Sequence, residues 1–169
     1  MLEQNNYMRP LDEFKNTMIK VLKALPEHSN PIWKWRNDPQ TQLMSINSEH
    51  VSWDDHSKWF DALLKNSNRY IYMLQNNSNF IGMIRFDRKL NSAEISINMN
   101  PEFRGQKLSK PSLLAGISAF KSEINMTNQM KILAEIKIVN IASNALFLSS
   151  GFQLITQTTD LNHYELLLN

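Results

Sequence analysis

AEISINMNPEFRGQKLS, residues 93–109, is the stretch that decides how this chain folds. Ala93, Ile95, Ile97 and Met99 alternate with Glu94, Ser96, Asn98 and Asn100, the period of a strand with one buried face. Pro101 ends the alternation, and a loop containing Arg104-Gly105 follows. From Ser109 onward the apolar residues recur at helical spacing. A strand that feeds a helix N-terminus through a short loop presents free backbone N–H groups and the positive end of a helix dipole. That combination suits an anionic phosphate.

The flanking sequence extends the pattern. The helix is expected to start near Lys110 with Ser109 as its cap and to bury Leu113, Leu114, Ile117 and Phe120; Pro111 is tolerated in its first turn. Lys131–Val139 alternates as a strand, Ala142–Ser149 reads as a short helix, and Gly151 fits the left-handed position after it. Phe152–Thr158 and His163–Leu168 read as closing strands.

Upstream, Arg69–Gln75 and Phe80–Asp87 form a hairpin about the turn Asn76–Asn79, with Gly82 as a bulge marker. Ser52 caps a helix over Trp53–Lys65, with Asp55 in the capping-box position. A short helix over PIWKWRND has Asn30 as its cap and ends before Pro39, and residues 40–51 read as a loop. Tyr7–Leu11 is assigned to a first strand and Asp12–Leu25 to a helix, and residues 1–30 are the least determined. The mixture of strands and helices, with one strand–helix–strand unit, predicts a single α/β domain: a mixed sheet with helices on both faces.

Composition narrows the function. The chain of 169 residues has no cysteine, which excludes disulfides, thiolate metal sites and a cysteine nucleophile and is compatible with the cytoplasm. The net charge of +2 is too small for a nucleic-acid-binding face. No apolar run approaches a membrane span, and no segment reads as a signal peptide. The spacing of His28, His50 and His163 does not predict a metal site.

FIGMI around Gly82, PEFRGQKLS around Gly105, Asn140 in EIKIVNIASNALF and Gly151 in NALFLSSGF together resemble the GNAT N-acetyltransferase superfamily across residues 30–169. WKWRNDPQ, HVSWDDHSKWF and EISINMNPEFRG are similar to the branch that acetylates nucleotide-linked amino sugars, as in pseudaminic acid biosynthesis. The resemblance implies a central, mostly antiparallel sheet splayed between its fourth and fifth strands, with acetyl-CoA as co-substrate. It implies direct attack by a primary amine within a ternary complex. Relatives often form homodimers, sometimes through the last strands. N-terminal peptide or small-amine acetylation, and a non-catalytic acyl-CoA-binding module, are the alternative functions.

Residue roles follow from the same likeness. Ile97, Asn98 and Met99 would pair with the pantetheine arm, and Arg104, Gly105, Gln106, Lys107, Leu108 and Ser109 would hold the pyrophosphate. Asn140 would cap its helix and touch the pantetheine. Two positions depart from the family pattern in the loop: Lys107 and Ser109 stand where glycine or alanine is usual, and Lys107 either crowds the ligand or adds a positive charge. Phe147 stands where many relatives carry a tyrosine that protonates the leaving thiolate.

Glu94 is a candidate proton acceptor or an exposed carboxylate with a neighbouring partner. Glu135 is a candidate base or the partner of Lys137. Trp35, Arg36, Asn37 and His56 are the substrate-binding candidates. Arg36 binds a phosphate or pairs with Asp38, Asp54 or Asp55. The four tryptophans serve mainly as packing, with one on the pocket wall able to stack on a base or sugar.

Overall fold

The computed structural model describes residues 18–124 and 129–169. Among these residues seven strands form one sheet: β1 (Ile19–Lys23), β2 (Arg69–Asn76), β3 (Asn79–Arg88), β4 (Ser92–Met99), β5 (Met130–Lys137), β6 (Gln153–Gln157) and β7 (Leu161–Leu168). They lie in the order β1-β2-β3-β4-β5-β7-β6. All neighbours are antiparallel except β4 and β5. The helices are α1 (Ser29–Arg36), α2 (Pro39–Met44), α3 (Trp53–Leu64), α4 (Ser109–Glu123) and α5 (Ile141–Ser149). None of the described helices is long and apolar enough to cross a membrane.

Strand alternation divides the apolar residues between two cores, which is why helices cover both faces. Tyr72, Leu74, Ile84, Phe86, Ile95 and Ile132 belong to the larger core with α4 and α5. There Phe86 and Phe120 stack with ring centroids 4.2 Å apart. Ile71, Met73 and Met83 face the other way, toward Ile32, Trp35, Phe60 and Leu63 of α1 and α3. The hairpin carries the bulge expected near Gly82: Leu74 pairs with Gly82 and Gln75 with Phe80, so Ile81 is the extra residue.

Five sequence expectations are corrected. Ile19–Lys23, assigned to a helix, is an edge strand paired with β2. A helix over this segment would bury Met18, Leu22 and Leu25, yet these three are exposed, while the β-branched Ile19 and Val21 pack on the larger core. Tyr7–Leu11 and residues 12–17 lie outside the described residues. Residues 40–44, within the segment read as loop, belong to α2, because Asp38 caps it and Pro39 occupies its first position. A Pro that ends one helix can therefore begin the next.

Helix α1 starts one residue before Asn30, with His28 at the N-cap position after a 3-10 turn over Pro26–His28. Ser109 is likewise the first residue of α4, preceded by Leu108. Leu114 is exposed on α4, and the small Ser112 and Gly116 take the buried side with Leu113, Ile117 and Phe120.

Candidate active site

The only parallel pair in the described sheet is also the shortest run of pairing. Ser92, Ala93 and Glu94 pair with Lys131, Ile132 and Leu133, and there the ladder stops. Each strand continues on its other side: β4 stays paired with β3 to Met99, and β5 with β7 to Lys137. The facing edges of Ile95–Met99 and Ala134–Lys137 therefore open like a V, with backbone N–H and C=O groups directed into the gap. Such groups need partners, and an extended ligand with amides of its own suits this edge. Gly82 holds one wall of the gap tight. A Cβ there would lie 2.7 Å from the Asn98 carbonyl oxygen.

The loop beyond β4 forms one end of the opening. Asn100 is buried, takes the Glu102 N–H at 3.1 Å and donates to the Phe80 carbonyl at 3.0 Å. Gly105 and Lys107 both have positive φ, 74° and 59°. Alternating backbone of this kind turns successive N–H groups to one side, the geometry of an anion nest. No side chain caps α4, so its first-turn N–H groups remain available. A Cβ on Gly105 would meet nothing within 4 Å. The exposed loop and uncapped helix fit a pyrophosphate. Lys107 takes the left-handed conformation that glycine adopts more readily.

The side chain of Arg104 turns away from this loop. Its Nη1 donates to Asp38 Oδ2 at 2.7 Å and to Gln40 Oε1 at 3.2 Å, and its Nη2 donates to Thr41 Oγ1 at 2.6 Å. Gln106 donates to the Glu102 carbonyl at 3.1 Å, inside the loop. Burial acts to raise the pKa of Asp38, but the hydrogen bond from Arg104, that from the Thr41 N–H and the Arg104 charge outweigh it and hold the carboxyl below its ordinary value.

On the β5 side, Asn140 caps α5 through a 3.1 Å bond from the Ser143 N–H. Asn144 fixes that turn from below. Its amide donates to the Lys137 and Asn140 carbonyls at 2.9 and 2.8 Å, and its Oδ1 accepts from Asn162 at 2.8 Å and the Tyr164 hydroxyl at 2.7 Å. Phe147 is buried edge-on to Phe152 at 4.8 Å and near Tyr164. It packs as core and has no proton to give.

The two carboxylates flank the point where pairing stops. Glu94 is the last residue of β4 paired with β5, and Glu135 lies two residues beyond Leu133, the register partner of Glu94, on the same face of the sheet. Both side chains are about half exposed: Glu94 is bonded to Lys89, and Glu135 lies 3.3 Å from His163 Nδ1. The pairing of Glu135 with Lys137 is not made, because Lys137 instead reaches the Leu43 carbonyl at 3.1 Å.

The four substrate candidates come together in the helical lobe, largely occupied in building it. Trp35 is a core residue. Asn37 exchanges two 2.9 Å hydrogen bonds with the Val51 backbone, as a strand neighbour would. His56 is 2 % exposed, touches the Ser29 carbonyl through Nε2 at 3.0 Å and stacks with Trp53 and Phe60. Burial lowers its pKa, and the bond to Ser29 opposes this in part.

Arg36 pairs with none of Asp38, Asp54 or Asp55. Its Nη2 donates to the Asn47 carbonyl at 2.6 Å, and its buried Nη1 has no partner. Asp38, Thr41 and Asn144 escaped the sequence reading. The run Asp-Pro-Gln-Thr carried a helix-start signal for the first two, whereas Asn144 is one polar residue in an otherwise ordinary helix.

Comparison with known proteins agrees with this geometry. Residues 21–153 match the family model described as an acetyltransferase (GNAT) domain. No curated protein sequence matches the chain. A spermidine N-acetyltransferase from Vibrio cholerae, solved with CoA and spermine, superposes with a TM-score of 0.77 at 14 % identity, covering 88 % of this chain and 95 % of that one. A domain from Methanocaldococcus jannaschii gives a TM-score of 0.74 at 21 % identity over 89 % and 99 % of the two chains. A ribosomal L7/L12 alpha-N-protein acetyltransferase gives 0.74 at 16 % over 90 % and 91 %. The divided parallel pair, with a phosphate-suited loop at its open end, defines an acyl-CoA acetyltransferase fold. The chain belongs to the GNAT acetyltransferase family, and it is an N-acetyltransferase with acetyl-CoA as co-substrate.

Proposed function

We propose that the acceptor is a primary amine on a nucleotide-linked amino sugar, acetylated by direct attack within a ternary complex. The observation that carries the reaction is the opening after Glu94 and Leu133, with Glu94 and Glu135 at its apex and the nest of residues 104–109 at its mouth. Acetyl-CoA supplies an acetyl group already activated as a thioester. The backbone of Ile97–Met99 and the Asn140 turn hold the pantetheine arm, and the loop and Lys107 hold the pyrophosphate. Glu94 and Glu135 take the ammonium proton, directly or through water. With Phe147 at the tyrosine position, solvent protonates the thiolate, a tolerable leaving group whose thiol has a reference pKa of about 8.5. The chain has no cysteine to form an acyl-enzyme. A cytoplasmic setting fits that same absence.

The sugar-nucleotide acceptor rests on the resemblance of residues 32–60 to that branch, and on the unpartnered Arg36 nitrogen beside a lobe rich in aromatic rings. A small polyamine or a peptide amine is the second reading. It is favoured by Glu94 and Glu135, whose carboxylates stay about half exposed beside Lys89 and His163. Thiol release measured with uridine-diphosphate-linked amino sugars, spermidine and N-terminal peptides separates the two. Turnover on peptides or spermidine with none on the sugars rejects the leading acceptor.

Among carboxylate variants we expect Glu94→Gln or Glu135→Gln to lower kcat about 100-fold near neutral pH, the usual range for a lost general base. The deficit should shrink as pH rises and the free amine appears. Two variants that both keep full rate would remove proton transfer from these residues.

A further inference from the structure

Helix α2 contributes no residue to either hydrophobic core. It has six residues, none buried, and Leu43 within it is 63 % exposed. A helix this short does not persist by itself. Its first turn is held by Arg104, which bonds Asp38, Gln40 and Thr41 together. Asp38 Oδ2 also accepts the Thr41 N–H at 3.0 Å, so one carboxylate both caps the helix and receives the arginine. At the other end, the Lys137 ammonium meets the Leu43 carbonyl at 3.1 Å, a cation at the negative end of a helix.

The origins of the two cations give this arrangement its meaning. Arg104 follows β4 through the 3-10 turn Pro101–Phe103, and Lys137 is the last residue of β5. These are the ends of the two strands that have separated. We propose that Arg104 and Lys137 are positioning residues that strap α2 across the opening between β4 and β5, on the acceptor side of the sheet. The acceptor step rests on the function proposed above; the strap itself does not. Arg104, in the position where the family pattern places a phosphate-loop arginine, serves here as a tether, and the backbone of residues 104–109 keeps the phosphate. Because the strap hangs from both walls, the wall the amine meets is set by the same strand ends that hold the thioester.

Amide hydrogen exchange of α2 in R104M, D38N and K137M tests the strap without any substrate. Exchange across Gln42–Ser45 should accelerate about tenfold in each, as for the loss of a charge-assisted tie, with R104K intermediate. Calorimetry with acetyl-CoA should give Kd values within about twofold of the parent protein. With a uridine-diphosphate-linked amino sugar, R104M should raise KM for the sugar more than KM for acetyl-CoA. Unchanged exchange in α2 overturns the strap. A tenfold weaker acetyl-CoA affinity in R104M but not in D38N makes Arg104 a phosphate ligand instead. If the parent protein itself fails to bind acetyl-CoA, the proposed function falls while the exchange result still decides the strap.

Discussion

Lys107 shows how a single residue can keep a geometry that its side chain disfavours. Its φ of 59° is one that β-carbon-bearing residues pay about 1–2 kcal/mol to adopt. We expect Lys107→Gly to raise the unfolding free energy by up to about 1 kcal/mol in urea titrations, the release of strain being partly offset by glycine's entropy. The same change should weaken acetyl-CoA binding, because an ammonium leaves the nest. A variant that loses stability would show that Lys107 makes contacts worth more than the strain. Roles fixed by local chemistry were legible at this scale: Ser52 and Asn140 cap as their types predict, and Gly151 has its positive φ of 95°. Roles fixed by distant partners were not. Nothing near Arg104 in sequence announces Asp38, 66 residues away.

Helices α1 to α3 carry the same lesson at the scale of elements. A buried histidine ties two of them, and its titration sets their pH response. His56 on α3 touches the Ser29 carbonyl of α1, and its folded pKa lies below the ordinary 6.5. The unfolded chain therefore binds more protons as pH falls below 6.5. Stability is complete above that pH and declines until the lower folded value is passed. Melting curves from pH 8 to 5 should show this decline, and His56→Gln should flatten it. An equal slope in both proteins would assign the loss elsewhere. The Asp38 carboxylate runs in a lower window: its contribution is present above its ordinary 3.8 and vanishes as pH falls through a lower folded value.

Strong alternation made β4 and β5 readable as elements, because each gathers its apolar residues on one face, buried throughout in β5 and at Ala93 and Ile95 in β4. Strand β1 and helix α2 were misread because neither has a buried stripe of its own. One is fixed by pairing with β2, the other by one ion pair and the hydrogen bonds around it. Asn144 on α5 is a comparable hidden anchor. Asn144→Ala leaves the Tyr164 hydroxyl and the Asn162 amide without their partner in the interior, and should cost roughly 2–4 kcal/mol.

Across the whole molecule, the sheet is two paired halves, β1–β4 and β5–β7–β6, joined by three register pairs and by the helices packed over them. An edge left unpaired is a place where a ligand adds stability, because a ligand with amides can supply the bonds that further β4–β5 pairs would have made. Sequence patterning shows that both strands exist but not that they separate, since the divergence is a property of the pair and leaves each strand's period intact. Binding across that opening should therefore register in global unfolding as well as in the loop. At acetyl-CoA 100-fold above its Kd, linkage adds about 2.7 kcal/mol. For a chain of this size that is a rise in Tm of roughly 5–11 °C. Desulfo-CoA, which keeps the pantetheine and pyrophosphate, should give most of the shift, and adenosine diphosphate much less, because only the former spans the gap. If adenosine diphosphate gave the full shift, the stabilisation would come from the phosphate loop alone and the unpaired β4–β5 edge would contribute nothing to ligand binding.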